Sequence, residues 1–290
     1  MAHLAHRRFE NTAGDLYVDS SCIDCDTCRW MAPTVFNRSG SQSAVYHQPQ
    51  DAAERRQAMQ DLLSCPTASI GTVEKPTDIT TAQASFPILI ADNVYHCGYH
   101  SEQSYGAASY LIQLPTGNIL VDSPRFTPPL VKRIEALGGV NYLYLTHRDD
   151  VADHQKFHDY FGCTRILHRD DVSSGTEAVE EQIIGTEPIS LISDMLIIPV
   201  PGHTRGHTAL LYNNKFLFTG DHLAYSEELQ HLYAFRNACW YSWAEQVVSL
   251  AKLTNYQFSW VLPGHGHRFY AEPSAMQESL DRCLAWANTM

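Results

Sequence analysis

Four short polar stretches each close an apolar run that reads as a β-strand: "THRDDVADH" (146–154), "PGHT" (201–204), "TGDH" (219–222) and "PGHGH" (263–267). "NYLYLTH" ends at His147, "MLIIPVPGHT" near His203, "TALLYNNKFLFTGDH" near Asp221 and "FSWVLPGHGH" near His265. A strand holds its end rigidly, so polar side chains just past four strand ends can converge on one site along a sheet edge. Imidazole and carboxylate together suit zinc or iron, and manganese less well. Without cations, carboxylates gathered this closely would repel one another and some would stay protonated.

The rest of the second half fits a sheet protein. "ASYLIQLPTGNILVDSP" reads as strand, turn and strand, with the turn at Pro115 to Asn118. "PPLVKRIEALGG" is a short helix stopped by glycine, and Asn213-Asn214 is a hairpin turn. "SWAEQVVSLAKL" is a helix capped by Ser242 with Glu245. "CWYSW" before it could line a pocket, but core packing is the preferred reading. His207 reads as a support behind the ligands, and Asp170-Asp171 as a loop or helix cap.

The first segment has a different chemistry. Cys22, Cys25 and Cys28 in "SCIDCDTCRWMAP" are spaced C-x2-C-x2-C, and Cys65-Pro66 follows in "LLSCPTASIG". Between them "DAAERRQAMQDLL" reads as a helix begun by Asp51 with Glu54, with Met59, Leu62 and Leu63 on its apolar face, returning Cys65 to the other three. Thiolates at this spacing wrap three corners of an iron–sulfur cube, and a remote cysteine closes the fourth. In the two-cluster run, a further cysteine before proline serves the second cluster. Here that position is Ala32, before Pro33. The segment resembles a single-cluster [4Fe–4S] ferredoxin. The competing reading is a four-cysteine zinc knot, but those usually come as two C-x2-C pairs. Cys97, Cys163, Cys239 and Cys283 are isolated and read as buried thiols. The polar "VEKPTDITTAQAS" reads as a linker. The expected division is therefore 1–72, linker 73–85, and 86–290.

The motif order over residues 86–290 resembles the metallo-β-lactamase superfamily. The resemblance implies an α+β chain, a ferredoxin-like module followed by a four-layer αβ/βα sandwich with a one- or two-metal site at one sheet edge. The family's first motif, H-x-H-x-D-H, is altered here: an aspartate replaces the second histidine and two extra residues intervene. His147 stands as the first ligand and Asp153-His154 as the Asp-His pair. Asp149 or Asp150 takes the second histidine's place; the flavodiiron branch also has a carboxylate there. Asp149 keeps the one-residue gap and is preferred. His203 and His265 match later ligands, Asp221 the bridging aspartate, and Asp122 a site-ordering aspartate. One metal is expected on His147, Asp149 and His203, and the other on Asp153, His154 and His265, with Asp221 bridging. Should neither Asp149 nor Asp150 reach the metal, one ion is expected. Asp221, His203 and Asp153 are expected to carry catalysis.

Composition bounds the function. The 290 residues are 44% hydrophobic, enough for a core, and the net charge of −12 disfavours affinity for nucleic acid. No apolar run suits a membrane span, and "MAHLAHRRFENTAGD" has no secretory stretch. Eight cysteines then read as ligands or thiols in the reducing cytoplasm. The expected cofactors are one [4Fe–4S] cluster and one or two divalent metals, zinc or iron. The resemblance implies a hydrolase in which a metal-bound hydroxide attacks an ester, thioester, lactone or related small molecule. The alternatives are a di-iron oxidoreductase fed by the ferredoxin-like module, with a possible redox partner protein, and a non-enzymatic scaffold.

Overall fold

A computed structural model of the chain describes residues 2–192 and 194–290. The chain is α+β and divides into two compact units, residues 1–141 with 152–162, and residues 142–151 with 163–290. Residues 1–72 thus share a unit with the strands that follow them.

In the first unit, Leu16–Val18 pairs antiparallel with Ile70–Thr72, and Phe36–Ser39 forms a hairpin with Gln42–Val45. The helix Ala52–Ser64 starts where expected: Asp51 accepts from the N–H groups of Ala53 and Glu54 at 2.8 and 2.9 Å, and Glu54 accepts from Gln50 N–H. Ala58 and Met59 bury into a core with Leu16, Val35 and Phe36, and Leu62 and Leu63 pack at its edge. Cys65 caps the helix end. Residues 73–85, read as a plain linker, contain a helix, Ile79–Ala84, whose Ala82 joins that core. Tertiary packing and the Arg55–Asp78 ion pair (2.9 Å) order a segment too short to show periodicity.

Four consecutive strands follow in antiparallel order, Ile88–Ala91, Val94–His96, Tyr110–Ile112 and Ile119–Val121. Asn118 anchors the last turn, accepting from Leu114 N–H and donating to the carbonyls of Leu137 and Gly139. Those carbonyls lie at the end of the helix Pro128–Ala136.

In the second unit, Tyr142–Tyr144, Thr164–His168 and Glu181–Ile183 run parallel. A six-stranded sheet has the order Ile189–Ile192, Met195–Pro199, Thr208–Tyr212, Phe216–Gly220, Trp260–Pro263, Phe269–Tyr270. Its one parallel pair is Phe216–Gly220 with Trp260–Pro263. Asn213 and Asn214 make the hairpin turn at φ +56° and +47°, where asparagine is tolerated. Leu211, Leu217 and Val261 face the helices Trp243–Leu253 and Pro273–Ala287, meeting Leu250, Leu253, Met276 and Leu280. The four polar stretches begin at or within a few residues of the ends of Tyr142–Tyr144, Met195–Pro199, Phe216–Gly220 and Trp260–Pro263.

Candidate metal centres

The first centre is built from thiols. Cys22, Cys25, Cys28 and Cys65 line one small cavity walled by Val18, Ile23 and Ile70. Asp24 and Asp26 adopt left-handed backbone (φ +61° and +69°), which turns three cysteines within seven residues toward one point. Arg29 holds that loop, donating to Asp24 at 2.7 Å and to Asp26. Gln42 donates to the Cys22 carbonyl at 2.6 Å, and Cys65 Sγ accepts from Ser69 N–H at 3.2 Å. Burial pushes the Cys25 thiol up to about 11. Burial also raises Cys28, with the nearby Asp61 carboxyl adding to it, and raises Cys65. Four soft sulfur donors facing one apolar-walled cavity fit an iron–sulfur cluster.

The second centre is built from imidazole and carboxylate. His147, Asp149 and His203 present one ligand atom each within 4.8 Å of one another, and so do His147, Asp150 and Asp221. The two sets share His147. Asp149 Oδ2 lies 3.2 Å from His203 Nε2 and 3.9 Å from His147 Nε2, and Asp221 Oδ2 lies 3.7 and 3.8 Å from the same two nitrogens. His265 Nδ1 meets Asp221 Oδ1 at 2.7 Å. His147 is fully buried, its Nδ1 is 3.0 Å from Thr146 Oγ1, and its Nε2 has no hydrogen-bond partner among the described residues. An imidazole nitrogen left bare among carboxylates fits a cation between them.

The electrostatics agree with that fit. Burial lowers His147 to about 4, so the ring is neutral at pH 7. Burial would raise Asp221, but His265, His147 and His203 outweigh it and hold the carboxyl well below its ordinary range. The hydrogen bond from His203 lowers Asp149.

Asp149 and Asp150 both join the cluster, one in each set. Asp153 and His154 are in no cluster of ligand atoms among the described residues. Asp153 precedes the helix His154–Phe161, where its carboxylate accepts from Phe126 N–H at 2.8 Å and pairs with Lys156 at 2.8 Å. Its partners within its own unit are therefore Phe126 and Lys156. In "HRDDVADH", Asp150 lies in the cluster, and Asp153-His154 stands at the start of the helix His154–Phe161. His265 joins the cluster through Asp221. Asp122 is buried at the end of its strand, with φ +56°.

Sequence reasoning missed Asp171. Its buried carboxylate accepts from Arg148 N–H (3.1 Å), Thr204 Oγ1–H (2.5 Å) and Gly206 N–H (2.8 Å). It therefore ties the loop carrying Asp149 to the loop carrying His203. Gly206 is required there, because a Cβ would lie 2.7 Å from Asp171 N. His207 Nε2 accepts from Asp221 N–H at 3.2 Å and fixes the Asp221 backbone. The "CWYSW" stretch divides between the core and the surface beside His203. Trp243 packs on the core, but Trp240 is 62% exposed. The N–H groups of Trp240 and Tyr241 both donate to the His203 carbonyl, and the Trp240 ring lies 6.2 Å from the His203 ring.

Residues 18–72 match the 4Fe-4S single cluster domain of ferredoxin I. No curated protein matches the sequence. Among solved structures, the DIM-1 metallo-β-lactamase superposes with a TM-score of 0.54 at 15% identity, over 69% of this chain and 95% of that one. FIM-1 from Pseudomonas aeruginosa, in its mono-zinc form, gives 0.51 at 18%, over 70% and 95%. The metallo-β-lactamase from Pontibacter korlensis gives 0.51 at 17%, over 70% and 98%. The chain carries a single-cluster ferredoxin domain and a metallo-β-lactamase fold. Identities this low carry the fold and not the reaction. What the metallo-β-lactamase fold does in this chain has to be argued from the donors just described.

Proposed function

We propose that the protein is a metal-dependent hydrolase of esters, thioesters, lactones or related small molecules, with the His/Asp cluster as its active site. The observation that carries this reading is the pair of overlapping donor sets, His147–Asp149–His203 and His147–Asp150–Asp221. These residues would hold one or two divalent ions, zinc or iron. Such an ion polarises a carbonyl and brings the pKa of a coordinated water down to about 7. The chain's own residues prepare the place. Burial keeps the His147 ring neutral, and with Nδ1 turned to Thr146 its Nε2 faces the carboxylates. Asp221 is kept ionised beside His265 and is held at its backbone by His207. Asp149 is the most solvent-exposed of the three carboxylates and marks the side from which substrate arrives. Trp240 gives that side an apolar wall next to His203.

A second reading has support in the donor set. Three carboxylates against three imidazoles make an oxygen-rich site that suits iron as well as zinc. In that reading the fold holds a di-iron pair, and the ferredoxin domain passes it electrons from a redox partner protein. Eight free cysteines and an iron–sulfur domain support a reducing, cytoplasmic location for either activity.

The test uses anaerobically purified protein. Hydrolysis of p-nitrophenyl acetate and of an acyl thioester is expected, lost in Asp221→Asn and unchanged when the cluster is reduced. Activity that survives Asp221→Asn would sink the hydrolase reading. About six irons per chain, against the four of one cubane, with no zinc and a mixed-valent di-iron resonance would replace it with the oxidoreductase.

A further inference from the structure

The cysteine cradle is covered by a segment that supplies it no ligand. The connection between Val94–His96 and Tyr110–Ile112 lies against it, and two buried histidines of this region, His96 and His100, form a hydrogen-bonded chain toward the cysteines. His96 Nε2 and His100 Nε2 are 2.8 Å apart. His100 Nδ1 is 2.7 Å from the Gly106 carbonyl and 3.0 Å from Thr27 Oγ1. Thr27, itself buried, has its Oγ1 3.4 Å from Cys25 Sγ. The Trp30 ring packs on both imidazoles, at 5.3 and 6.0 Å, and keeps the chain dry.

Donor and acceptor roles follow from the chemistry of each group. A carbonyl only accepts, so His100 carries its proton on Nδ1. In the neutral ring its Nε2 then accepts from His96 Nε2–H. The Thr27 hydroxyl has one hydrogen and two acceptors at equal distance, the Gly106 carbonyl and Cys25 Sγ, both at 3.4 Å. His100 already donates to that carbonyl at 2.7 Å, and its proton also faces the Thr27 oxygen. The thiolate of a bound cluster is the acceptor left over.

We infer that Thr27 donates a hydrogen bond to the Cys25 sulfur of the bound cluster, and that His100 is the positioning residue that directs it there. Hydrogen bonds to the sulfurs are among the factors that set a cluster's reduction potential. A donor to a ligand sulfur offsets negative charge and so favours the reduced state. The potential of this cluster is therefore set in part by residues 96–106, outside the ferredoxin segment 18–72.

The experiment is a mediated redox titration of the anaerobically purified full chain, followed by visible absorption and electron paramagnetic resonance. Thr27→Val should move the reduction equilibrium toward the oxidised state by about threefold to tenfold, tenfold being about 59 mV for one electron. Thr27→Ser, which keeps the hydroxyl, should retain the parent value. His100→Phe should shift the potential in the same direction by less, and His100→Asn, whose amide can donate near the Nδ1 position, should restore it. The double variant Thr27→Val/His100→Phe should match Thr27→Val, because the two residues act through one hydrogen bond. An unshifted potential in Thr27→Val, or additive shifts in the double variant, overturns the inference. Should Thr27→Val not retain four irons, His100→Phe decides: an unchanged potential with an intact cluster overturns it.

Discussion

The thiol cradle and the His/Asp cluster are both buried donor sets, yet burial acts on them in opposite directions. In the cradle it works against the state that binds metal, because a buried thiol keeps its proton: Cys25 is pushed up to about 11, and Cys28 and Cys65 are raised. In the cluster it works for binding, because a buried imidazole sheds its proton: His147 falls to about 4. The neighbouring imidazoles then keep Asp221 and Asp149 ionised. The sandwich site is thus held in its binding protonation state by the protein. The cradle reaches its binding state only when the cluster arrives, and the folding of the ferredoxin domain is correspondingly more dependent on its cofactor.

The largest effect should come from the residue that belongs to the cluster twice, by its place in a ligand set and by its bond to His265. Asp221→Ala should lower hydrolysis by more than the roughly 100-fold that loss of even an outer-sphere partner can cost, with the cluster absorption intact. Steady-state kinetics beside the visible spectrum checks both. Asp171→Ala touches no expected ligand atom but frees two ligand-bearing loops, and metal affinity should fall by about 10- to 100-fold, read by competition with a chromogenic chelator. Asp149→Ala and Asp150→Ala should each remove one of two ions. Metal counts that fall in only one of these variants would show that the other carboxylate is a bystander.

Proton release tests the contrast itself. Assembling the cluster on apo-protein at pH 7 should release about four protons, one from each ligand thiol, whereas loading the His/Asp site with zinc should release less than about one, from coordinated water. The sign follows from the shifts: raised thiols are protonated at pH 7, and a lowered imidazole and lowered carboxyls are not. Cluster assembly should therefore speed up as pH rises from 7 to 9, while zinc loading changes little over that span. A pH-stat measurement giving equal release at the two sites breaks the comparison. The smallest effect is expected from Asp153→Ala, which should leave metal content unchanged and cost about 1 kcal/mol of stability through one lost hydrogen bond, measured by urea unfolding. Loss of metal in that variant would return Asp153 to the ligand set.

How legible each centre was depends on how local its determinants are. The cradle was readable because three cysteines fall within seven residues and the fourth is followed by proline. His147, His203, Asp221 and His265 were visible because each lies just past an apolar run, and the strand period can be read without coordinates. Asp153 was placed by motif spacing, which counts residues and does not show that it stands at a helix start with Phe126 and Lys156 on its carboxylate. Asp171 gave no sign, since an aspartate in a short turn resembles any loop acid. Its partners, Arg148, Thr204 and Gly206, lie 23 to 35 residues away in the chain. The ordered segment 73–85 was hidden for the same reason, because its helix depends on a buried alanine and a distant arginine.

Gly106 presses against the cradle so closely that a Cβ there would lie 2.8 Å from Cys25 Cβ and 3.0 Å from its sulfur. Beside it, Tyr105 hydroxyl donates to the Ile23 carbonyl at 2.5 Å. Dioxygen attacks an iron–sulfur cluster through whatever gap the polypeptide leaves, and here one wall of that gap is the strand connection 97–109. How long the cluster survives in air is therefore expected to depend on a stretch of chain outside the ferredoxin segment 18–72.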